Sequence, residues 1–255
     1  MKAAEQLTEN WLMATEIHKL ETRLWRKSQR DKCKVVLFTS ASRGEGKSTT
    51  VACLATALGL YPGRHVLAVD LDFRVPRLNS HFEVPLSHGL GEVLRRECAI
   101  EDAIISTGLP SLDLALPRAE GEDPALLLQT TALWEMFVYF RKNYDLILMD
   151  VPALIPVADT SMLLPLADGV VLIAMAGKTT KHELSKAREL CLGMEASILG
   201  LVVGNLQEAT PEYGYGYGYG YGHGYGDGYG YRRGSSRTGS KTDEDKVKSD
   251  ERERS

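Results

Sequence analysis

The stretch S-A-S-R-G-E-G-K-S-T, residues 40–49, decides the fold of this chain. It follows an apolar run, V-V-L-F at residues 35–38, and precedes a helix-like stretch over residues 48–60. A strand, a glycine-rich turn and the start of a helix form the setting in which backbone N–H groups bind phosphates. The usual pattern is G-x-x-x-x-G-K-[ST], with Ala41 here in place of the first glycine. The stretch therefore predicts a phosphate-binding loop.

The residue types inside this loop suit a bound nucleotide. Gly44 and Gly46 let the backbone approach phosphate groups closely, and Lys47 supplies a positive charge for the terminal phosphates. Ser48 supplies a hydroxyl ligand for Mg²⁺. The pattern predicts ATP and Mg²⁺ as ligands, with the nucleotide contacted by Ser42, Arg43, Gly44, Glu45, Gly46, Lys47, Ser48 and Thr49.

A second motif places two carboxylates after an apolar stretch. In V-L-A-V-D-L-D-F-R, residues 66–74, Asp70 and Asp72 follow a strand-like run and Arg74 closes the motif. One of the two carboxylates can hold Mg²⁺ while the other accepts a proton, and the pattern leaves open which does which. Arg74 can pair with the acidic residues or with a phosphate.

A third motif is D-L-I-L-M-D-V-P, residues 145–152, in which four apolar residues lead into Asp150. A carboxylate buried at a strand end is costly unless it is paired or linked to a metal. This favours a role in holding Mg²⁺ through water. The predicted metal ligands are Ser48, Asp70 and Asp150, and the predicted catalytic residues are Lys47, Asp70, Asp72, Arg74 and Asp150.

Composition narrows the classes of protein that fit. At 255 residues with 44% hydrophobic residues, the chain can form one large core domain with extensions. A net charge of −4 gives no reason to expect a nucleic-acid partner. The four cysteines are widely spaced, which is typical of a reduced, cytoplasmic protein. The chain shows neither a signal peptide nor an apolar run of the ~18–20 residues that a spanning helix needs, so we expect membrane association only through a partner.

Residues 33–207 alternate between strand-like and helix-like stretches. Short runs rich in Val, Ile and Leu, separated by helices, predict an α/β fold of the P-loop NTPase type. This is a doubly wound, mostly parallel sheet with helices on both faces. Loops after residues 39, 70 and 149 should then meet at the carboxyl ends of the strands. The predicted strands are 33–39, 65–70, 112–116, 145–151, 169–175 and 198–204, and the predicted helices are 47–60, 89–97, 124–142, 159–166 and 180–194.

Two segments flank this predicted P-loop domain. Residues 1–32 form an N-terminal helical segment, amphipathic over 3–30, which can pack on its own domain or on a neighbouring subunit. Residues 208–255 form a tail that begins with a tyrosine–glycine repeat at 213–231 and ends in mixed charges. Alternating glycine disfavours a packed core, so we expect the tail to be disordered.

Taken together, the three motifs resemble those of the bacterial tyrosine kinases of polysaccharide export and co-polymerase systems. That family has a phosphate-binding loop S-x-x-P-G-E-G-K-[ST], with Arg43 here where proline is usual. Its D-x-D-x-R motif continues here to Pro76 and Phe82, and its third motif, D-x-P, ends here in Pro152. The resemblance covers about residues 33–205.

Two further positions bear on the comparison with this family. Its N-terminal E-x-x-R-x-x-R motif, which supports ring assembly, has its nearest match here in Glu16, Lys19 and Thr22. Asn205 resembles the asparagine that contacts the nucleotide base after the last strand, with its spacing one residue off.

The resemblance implies an ATP-dependent protein-tyrosine autokinase that regulates exopolysaccharide or capsule synthesis and export. It also implies a homo-oligomer such as a ring, a membrane-anchored polysaccharide co-polymerase as activator, and a phosphotyrosine phosphatase as a further partner. The kinase would be cytoplasmic and recruited to the inner face of the plasma membrane. The expected phosphoacceptors are Tyr213, Tyr215, Tyr217, Tyr219, Tyr221, Tyr225, Tyr229 and Tyr231.

Other readings of the same residues remain open. ATPases of the ParA/MinD type share the fold but carry K-G-G-x-G-K-[ST], and Ser42 stands where their signature lysine would be. A nucleotide-switched scaffold without kinase activity would also need the phosphate-binding loop. The tail could then be an aromatic segment that self-associates or contacts sugars or nucleic acid.

Overall fold

A computed structural model describes residues 2–118, 123–155 and 159–206. All of them lie in the first of two units into which contacts divide the chain, Met1–Tyr215. The strands are β1 (Val35–Ser40), β2 (Val66–Asp70), β3 (Ile104–Ser106), β4 (Leu112–Ala115), β5 (Leu146–Asp150), β6 (Gly169–Met175) and β7 (Ile198–Gly204). The helices are α1 (Lys2–Glu9), α2 (Trp11–Asp31), α3 (Lys47–Gly59), α4 (Leu78–Phe82), α5 (Leu90–Leu94), α6 (Pro124–Leu128), α7 (Thr131–Asn143), α8 (Asp159–Leu163) and α9 (Lys181–Gly193).

The seven strands form one sheet in the order β3-β4-β2-β5-β1-β6-β7. Every neighbouring pair is parallel except β3 and β4, which are antiparallel at one edge. The central strands β1, β2 and β5 are buried along their whole length, as expected for a parallel sheet covered on both faces. The predicted fold class, a doubly wound and mostly parallel sheet, is confirmed.

Helices cover both faces of the sheet because side chains alternate along each strand. In β1, Val35 and Leu37 enter the core beneath α5 to α9, whereas Val36 and Phe38 enter the core beneath α1 to α4. The first core contains an aromatic group on α7, in which Phe140 makes edge-on contacts with Phe137 and Tyr144. The two cores hold the sheet rigid beneath the loops at its carboxyl edge.

The N-terminal segment differs from the single predicted helix over residues 3–30. It breaks at Asn10, whose extended backbone ends α1 and whose side-chain oxygen accepts a hydrogen bond from the Met13 N–H of α2. Ala3, Ile17 and Leu24 are buried against the rest of the domain. Of the two predicted packing modes, packing on the chain's own domain is present.

Other boundaries also shift. The predicted helix over 124–142 is two helices, because the extended backbone at Thr130 interrupts it. The helix predicted over 89–97 ends at Leu94, and Arg96 takes a φ of 63°. The short elements β3 and α4 were not predicted, since three to five residues are too few to show a clear periodicity. The predicted tail lies outside the described residues.

At the amino edge of the sheet, one carboxylate joins three segments. Asp168 precedes β6, and its side chain accepts hydrogen bonds of 2.8 Å from the backbone N–H groups of Lys34 and Val35. The same carboxylate is bound by both terminal nitrogens of Arg141, each at 2.8 Å. This junction ties the start of β1 to α7. No helix in the described parts of the chain has the length and apolar character of a membrane span.

We expect Asp168→Ala to lower the free energy of unfolding by about 2–4 kcal/mol, because it leaves two backbone amides and Nη1 of Arg141 without their acceptor. Chemical denaturation followed by circular dichroism measures this. Asp31→Ala is the matched control. Asp31 forms an exposed ion pair with Lys27, the one ion pair of its side chain among the described residues, and its loss should change stability by about 0.5 kcal/mol or less. Equal losses in the two variants would show that the Asp168 junction contributes no more to the free energy of unfolding than an exposed ion pair does.

Candidate active site

The loop between β1 and α3 presents backbone amides without partners. Gly44 and Gly46 have φ values of 73° and 88°, in the left-handed region that favours glycine. Within the described residues, the N–H groups of residues 44–49 donate no hydrogen bond. Unpaired donors at the N-terminus of a helix form a site for an anion, and phosphate is a common occupant.

Lys47 is the first residue of α3, and its side chain is directed into the domain. The residue is only 8% exposed. Its charge lowers the pKa of Asp150, so the ammonium lies near that carboxylate. The loop therefore combines unpaired amides with a nearly buried cation, an arrangement suited to a polyanionic ligand.

Asp150 ends β5 and lies between the two other strands that carry the motifs. Its backbone is in register with Phe38 of β1 and with Asp70 of β2. The residue is 1% exposed, and neither carboxylate oxygen has a hydrogen-bond partner among the described residues. Burial, and next the charge of Asp70, raise the pKa of Asp150, whereas Ser48 and Lys47 oppose this rise. The Ser48 hydroxyl lies near the carboxylate without forming a well-aligned hydrogen bond.

An unpaired buried carboxylate is costly, and a bound cation would remove that cost. The oxygens of Asp150 and Ser48 are of the kind that Mg²⁺ prefers. Across the described ranges, no group of three or more His, Cys, Asp or Glu residues is arranged to hold a metal by itself. The donor set therefore fits a Mg²⁺ ion that takes its other ligands from water and a nucleotide.

Asp70 lies beside Asp150 but is already occupied by backbone groups. It is fully buried, and its carboxylate accepts hydrogen bonds from the N–H groups of Asp72 (3.0 Å), Arg77 (2.9 Å) and Leu78 (3.0 Å). Burial raises the pKa of Asp70 to about 6, although these three bonds act in the opposite direction. Asp70 thus folds the loop after β2 back towards the start of α4.

Asp72 is half-buried, and one of its oxygens accepts a 3.0 Å hydrogen bond from the Val75 N–H. Arg74, which the sequence pattern allowed to pair with the acidic residues or with a phosphate, binds Asp159 at the start of α8, through Nε at 2.7 Å and Nη2 at 3.2 Å. A longer contact of 3.7 Å joins Arg74 to Asp123. Asp159, whose buried carboxylate accepts both bonds, raises the pKa of Arg74 most, and Asp72 contributes a weaker attraction.

Asn205 follows β7 at the same edge of the sheet and takes a φ of 60°. It lies two strands away from β1 in the sheet order, on an exposed part of the chain. The structure thus brings Lys47, Ser48, Asp70 and Asp150 together around the end of β5, and Asn205 stands apart from them. The eight tail tyrosines lie outside the described residues.

Sequence reasoning missed the segment that follows β6. The Lys178 ammonium donates to the carbonyl oxygens of Arg43 and Gly44 at 2.8 and 2.9 Å. Thr179 donates a hydrogen bond to Glu45, and Ser42 donates one of 3.0 Å to Glu183. The rule that loops at the carboxyl edge share one site could have identified this segment, since it follows a predicted strand.

Comparisons with known proteins agree with this geometry. The family described as AAA domain matches residues 33–186, so the chain belongs to this class of P-loop proteins. A curated relative, the tyrosine-protein kinase YwqD of Bacillus subtilis (strain 168), is 33% identical over 183 residues, which are 71% of this chain and 77% of that protein. The chain is therefore a member of the bacterial tyrosine-protein kinase family.

A further curated relative is the putative tyrosine-protein kinase EpsB of Ralstonia solanacearum, 30% identical over 182 residues. The match covers 71% of this chain but only 24% of that longer protein. Among solved structures, the chimerical protein CapA2B2 matches with a TM-score of 0.65 and 28% identity, over 70% of this chain and 80% of that one.

The fold is shared more widely. The septum site-determining protein MinD of Pyrococcus horikoshii OT3, solved in complex with Mg-ADP, matches with a TM-score of 0.58 and 25% identity, over 67% of this chain and 69% of that one. The sheet and helices are therefore those of P-loop NTPases in general. Fold similarity alone does not distinguish a kinase from a positioning ATPase.

We expect Asp150→Asn to raise the free energy of unfolding of the ligand-free protein by about 1–3 kcal/mol at neutral pH, because it removes an unpaired buried charge. The folded state holds the Asp150 proton more tightly than the unfolded state does. Wild-type stability should thus fall relative to the variant as the pH rises from about 4 to about 7. Denaturant titrations across this range measure the difference.

Asp145→Asn is the matched control, since Asp145 lies at the opposite end of β5 and accepts a hydrogen bond from the His65 N–H. It should not stabilise the protein at any pH. If Asp150→Asn proved neutral or destabilising without ligands, the Asp150 carboxylate would have a protein partner and no vacancy for a cation.

Proposed function

We propose that this chain is an ATP-dependent protein-tyrosine autokinase that phosphorylates tyrosines in its own C-terminal segment, residues 213–231, mainly between subunits. The observation that carries the proposal is the unpaired carboxylate of Asp150 beside the unpaired amides of the loop before α3. An unpaired carboxylate suits a cation and unpaired amides suit an anion, and Mg²⁺ with ATP would supply both at adjacent positions. Membership of the bacterial tyrosine-kinase family gives the type of reaction.

Each predicted ligand of the nucleotide receives a role in this proposal. Lys47 and the amides of residues 44–49 bind and polarise the phosphates. The buried position of Lys47 and the absence of partners for these amides in the described chain support this role. Ser48 and Asp150 hold Mg²⁺, which supplies charge neutralisation at the phosphates when bound. Ser42, Arg43 and Glu45 shape the loop, and Asn205 contacts the base.

The two acidic residues after β2, Asp70 and Asp72, have different roles in this proposal. Asp70 adds negative charge next to Asp150 and anchors the loop through three backbone bonds, as its burial supports. Asp72 is more exposed, with one oxygen bonded to the Val75 N–H, and accepts the proton of the tyrosine hydroxyl. The hydroxyl oxygen then bonds to the γ-phosphorus while the bond to the bridging oxygen breaks, which releases ADP. Arg74 holds this loop through Asp159.

The position of the tail start supports an acceptor in the same chain or its neighbour. β7 ends at Gly204 on the edge that carries the phosphate-binding loop, and strand spacing puts its end about 10 Å from the end of β1. Tyr213 lies seven residues beyond Leu206 and can extend at most about 25 Å from it. The later tyrosines reach further, so a bound neighbour is accessible to them.

The proposed kinase acts as a homo-oligomer with a membrane-anchored activator and a phosphatase as partners. A homo-oligomer brings one tail to the site of another subunit, and a membrane-anchored co-polymerase recruits and activates the kinase at the inner face of the plasma membrane. Each phosphate adds roughly −1.5 to −2 charge to the tail, so several phosphates would repel one another and separate the subunits. A phosphotyrosine phosphatase would reverse the change. The proposed outcome is control of exopolysaccharide or capsule synthesis and export.

We expect intact-mass spectrometry of the protein with Mg²⁺ and ATP to show several additions of about 80 Da each, located by peptide mapping in residues 208–233. Lys47→Met should abolish them, because the phosphates lose their cation. A variant with all eight tail tyrosines changed to Phe should also lack them, whereas Tyr61→Phe, the control on the folded domain, should keep them.

Absence of additions in the wild type, even with a candidate activator's cytoplasmic segment present, would refute the autokinase. If the protein still bound and hydrolysed ATP, it would be an ATPase of the MinD type. If it bound ATP without turnover, it would be a nucleotide-switched scaffold.

We expect Asp72→Asn to lower kcat for autophosphorylation by about 10²–10⁴-fold, with nucleotide affinity within about threefold of wild type, because a lost proton acceptor affects chemistry and not binding. Asp70→Ala should instead lower the free energy of unfolding by about 1–3 kcal/mol, since three backbone amides lose their acceptor. Fluorescent-nucleotide titration and calorimetry separate the two effects. If Asp72→Asn had a normal kcat, Asp72 would not be the proton acceptor, and Asp70 would be assigned that role instead.

A further inference from the structure

A lysine from a neighbouring loop binds the phosphate-binding loop from outside. Lys178 lies between β6 and α9, and its ammonium donates to the carbonyl oxygens of Arg43 and Gly44 at 2.8 and 2.9 Å. Among the described residues, this ammonium has no carboxylate partner within ion-pair distance. Its bonded partners in this part of the chain are thus the two carbonyl groups.

The two carbonyls fix the direction of two amides. In a trans peptide the C=O and the N–H of the same unit point in opposite directions. The carbonyl of Arg43 shares its peptide unit with the N–H of Gly44, and the carbonyl of Gly44 shares its unit with the N–H of Glu45. Because both carbonyls point to Lys178, both amides point to the opposite side of the loop.

Glycine makes this restraint necessary. Gly44 has a φ of 73°, and glycine reaches positive and negative φ with similar ease, so the adjoining peptide units can rotate at little cost. A residue with a side chain could not restrict this rotation and keep the lysine contact, because a Cβ on Gly44 would lie 2.8 Å from the Lys178 Nζ. A side chain at position 44 would displace the ammonium and would be strained at this φ, so the observed contact depends on glycine, and the ammonium in turn holds that glycine in one conformation.

The segment that carries Lys178 is itself held in place. The Thr179 hydroxyl accepts a 2.8 Å hydrogen bond from the Met175 N–H and donates one to Glu45. The other oxygen of Glu45 accepts a 2.9 Å bond from the Ser42 N–H. Glu183, in the first turn of α9, accepts a 3.0 Å bond from the Ser42 hydroxyl. These contacts attach the segment to the loop at both ends, so the position of Lys178 is fixed.

We propose that Lys178 is a positioning residue for nucleotide binding. It sets the amides of Gly44 and Glu45 towards the phosphates by holding the carbonyls of the same peptide units, those of Arg43 and Gly44, on the far side. The proposal rests on the proposed binding of ATP by the loop before α3. Without the ammonium, the peptide units on either side of Gly44 sample both orientations. Part of the binding energy of the nucleotide is then used to order them.

The test uses the full-length protein and three variants. Lys178→Met removes the charge and the donors, Lys178→Arg restores a donor, and Lys181→Met makes the same change on an exposed residue three positions away. Titration with a fluorescent ADP analogue in the presence of Mg²⁺ measures affinity. Autophosphorylation kinetics give KM for ATP and kcat, and calorimetry gives the melting temperature of the ligand-free protein.

We expect Lys178→Met to bind the analogue about tenfold more weakly and to raise KM for ATP by a similar factor, with kcat within about twofold of wild type. Lys178→Arg should recover most of the affinity, and Lys181→Met should match wild type. The melting temperature without ligand should be the same in all four proteins, which separates positioning from a general loss of structure.

Wild-type affinity in Lys178→Met would overturn the inference while leaving nucleotide binding by the chain intact. Lower affinity accompanied by an equal loss in Lys181→Met would also overturn it, because the effect would then be one of net charge. Failure of the wild type itself to bind the analogue would instead refute the proposed function.

Discussion

The parallel register of β2 and β5 sets Asp70 and Asp150 side by side at the buried end of the sheet. Burial removes hydration from both carboxylates and raises the pKa of both, and the charge of Asp70 adds to the rise in the pKa of Asp150. Three backbone N–H groups satisfy Asp70, whereas Asp150 has no such partner in the described chain. The remaining elements of the site surround this carboxylate: a nearly buried lysine, a serine hydroxyl and a row of unpaired amides.

The well-paired junction around Asp168 and the candidate active site lie at opposite ends of the same strands. At the amino edge, Asp168 has donors for both of its oxygens and joins β1, β6 and α7 without an unpaired group. At the carboxyl edge, donors and acceptors remain unpaired. Violations of local pairing are expected where a protein binds a ligand, and the rest of the fold must compensate for them. The two apolar cores on either face of the sheet provide that compensation.

The sequence was sufficient to predict features that depend on local spacing. The glycine-rich loop before α3, the alternation of strands and helices, and the carboxylates of Asp70 and Asp150 all follow from residue type and position along the chain. Features that depend on tertiary contacts were not accessible in this way. The partner of Arg74 is Asp159, 85 residues away, and the contact of Lys178 with Arg43 in the phosphate-binding loop spans 135 residues. Breaks at Asn10 and Thr130 depend on single backbone conformations that periodicity does not reveal.

The Asp150 carboxylate, which has no hydrogen-bond partner in the described chain, also affects how long the protein survives in a cell. A ligand that binds only the folded state shifts the folding equilibrium towards it in proportion to its concentration over its dissociation constant. Proteases in a cell act on the unfolded fraction, so a marginal change in stability alters abundance several-fold. A chain with a buried carboxylate that a bound cation would stabilise is therefore expected to persist when its ligand is plentiful and to be degraded faster when cells are starved. The same carboxylate that would prepare the site for chemistry would then also make the amount of protein follow the energy supply.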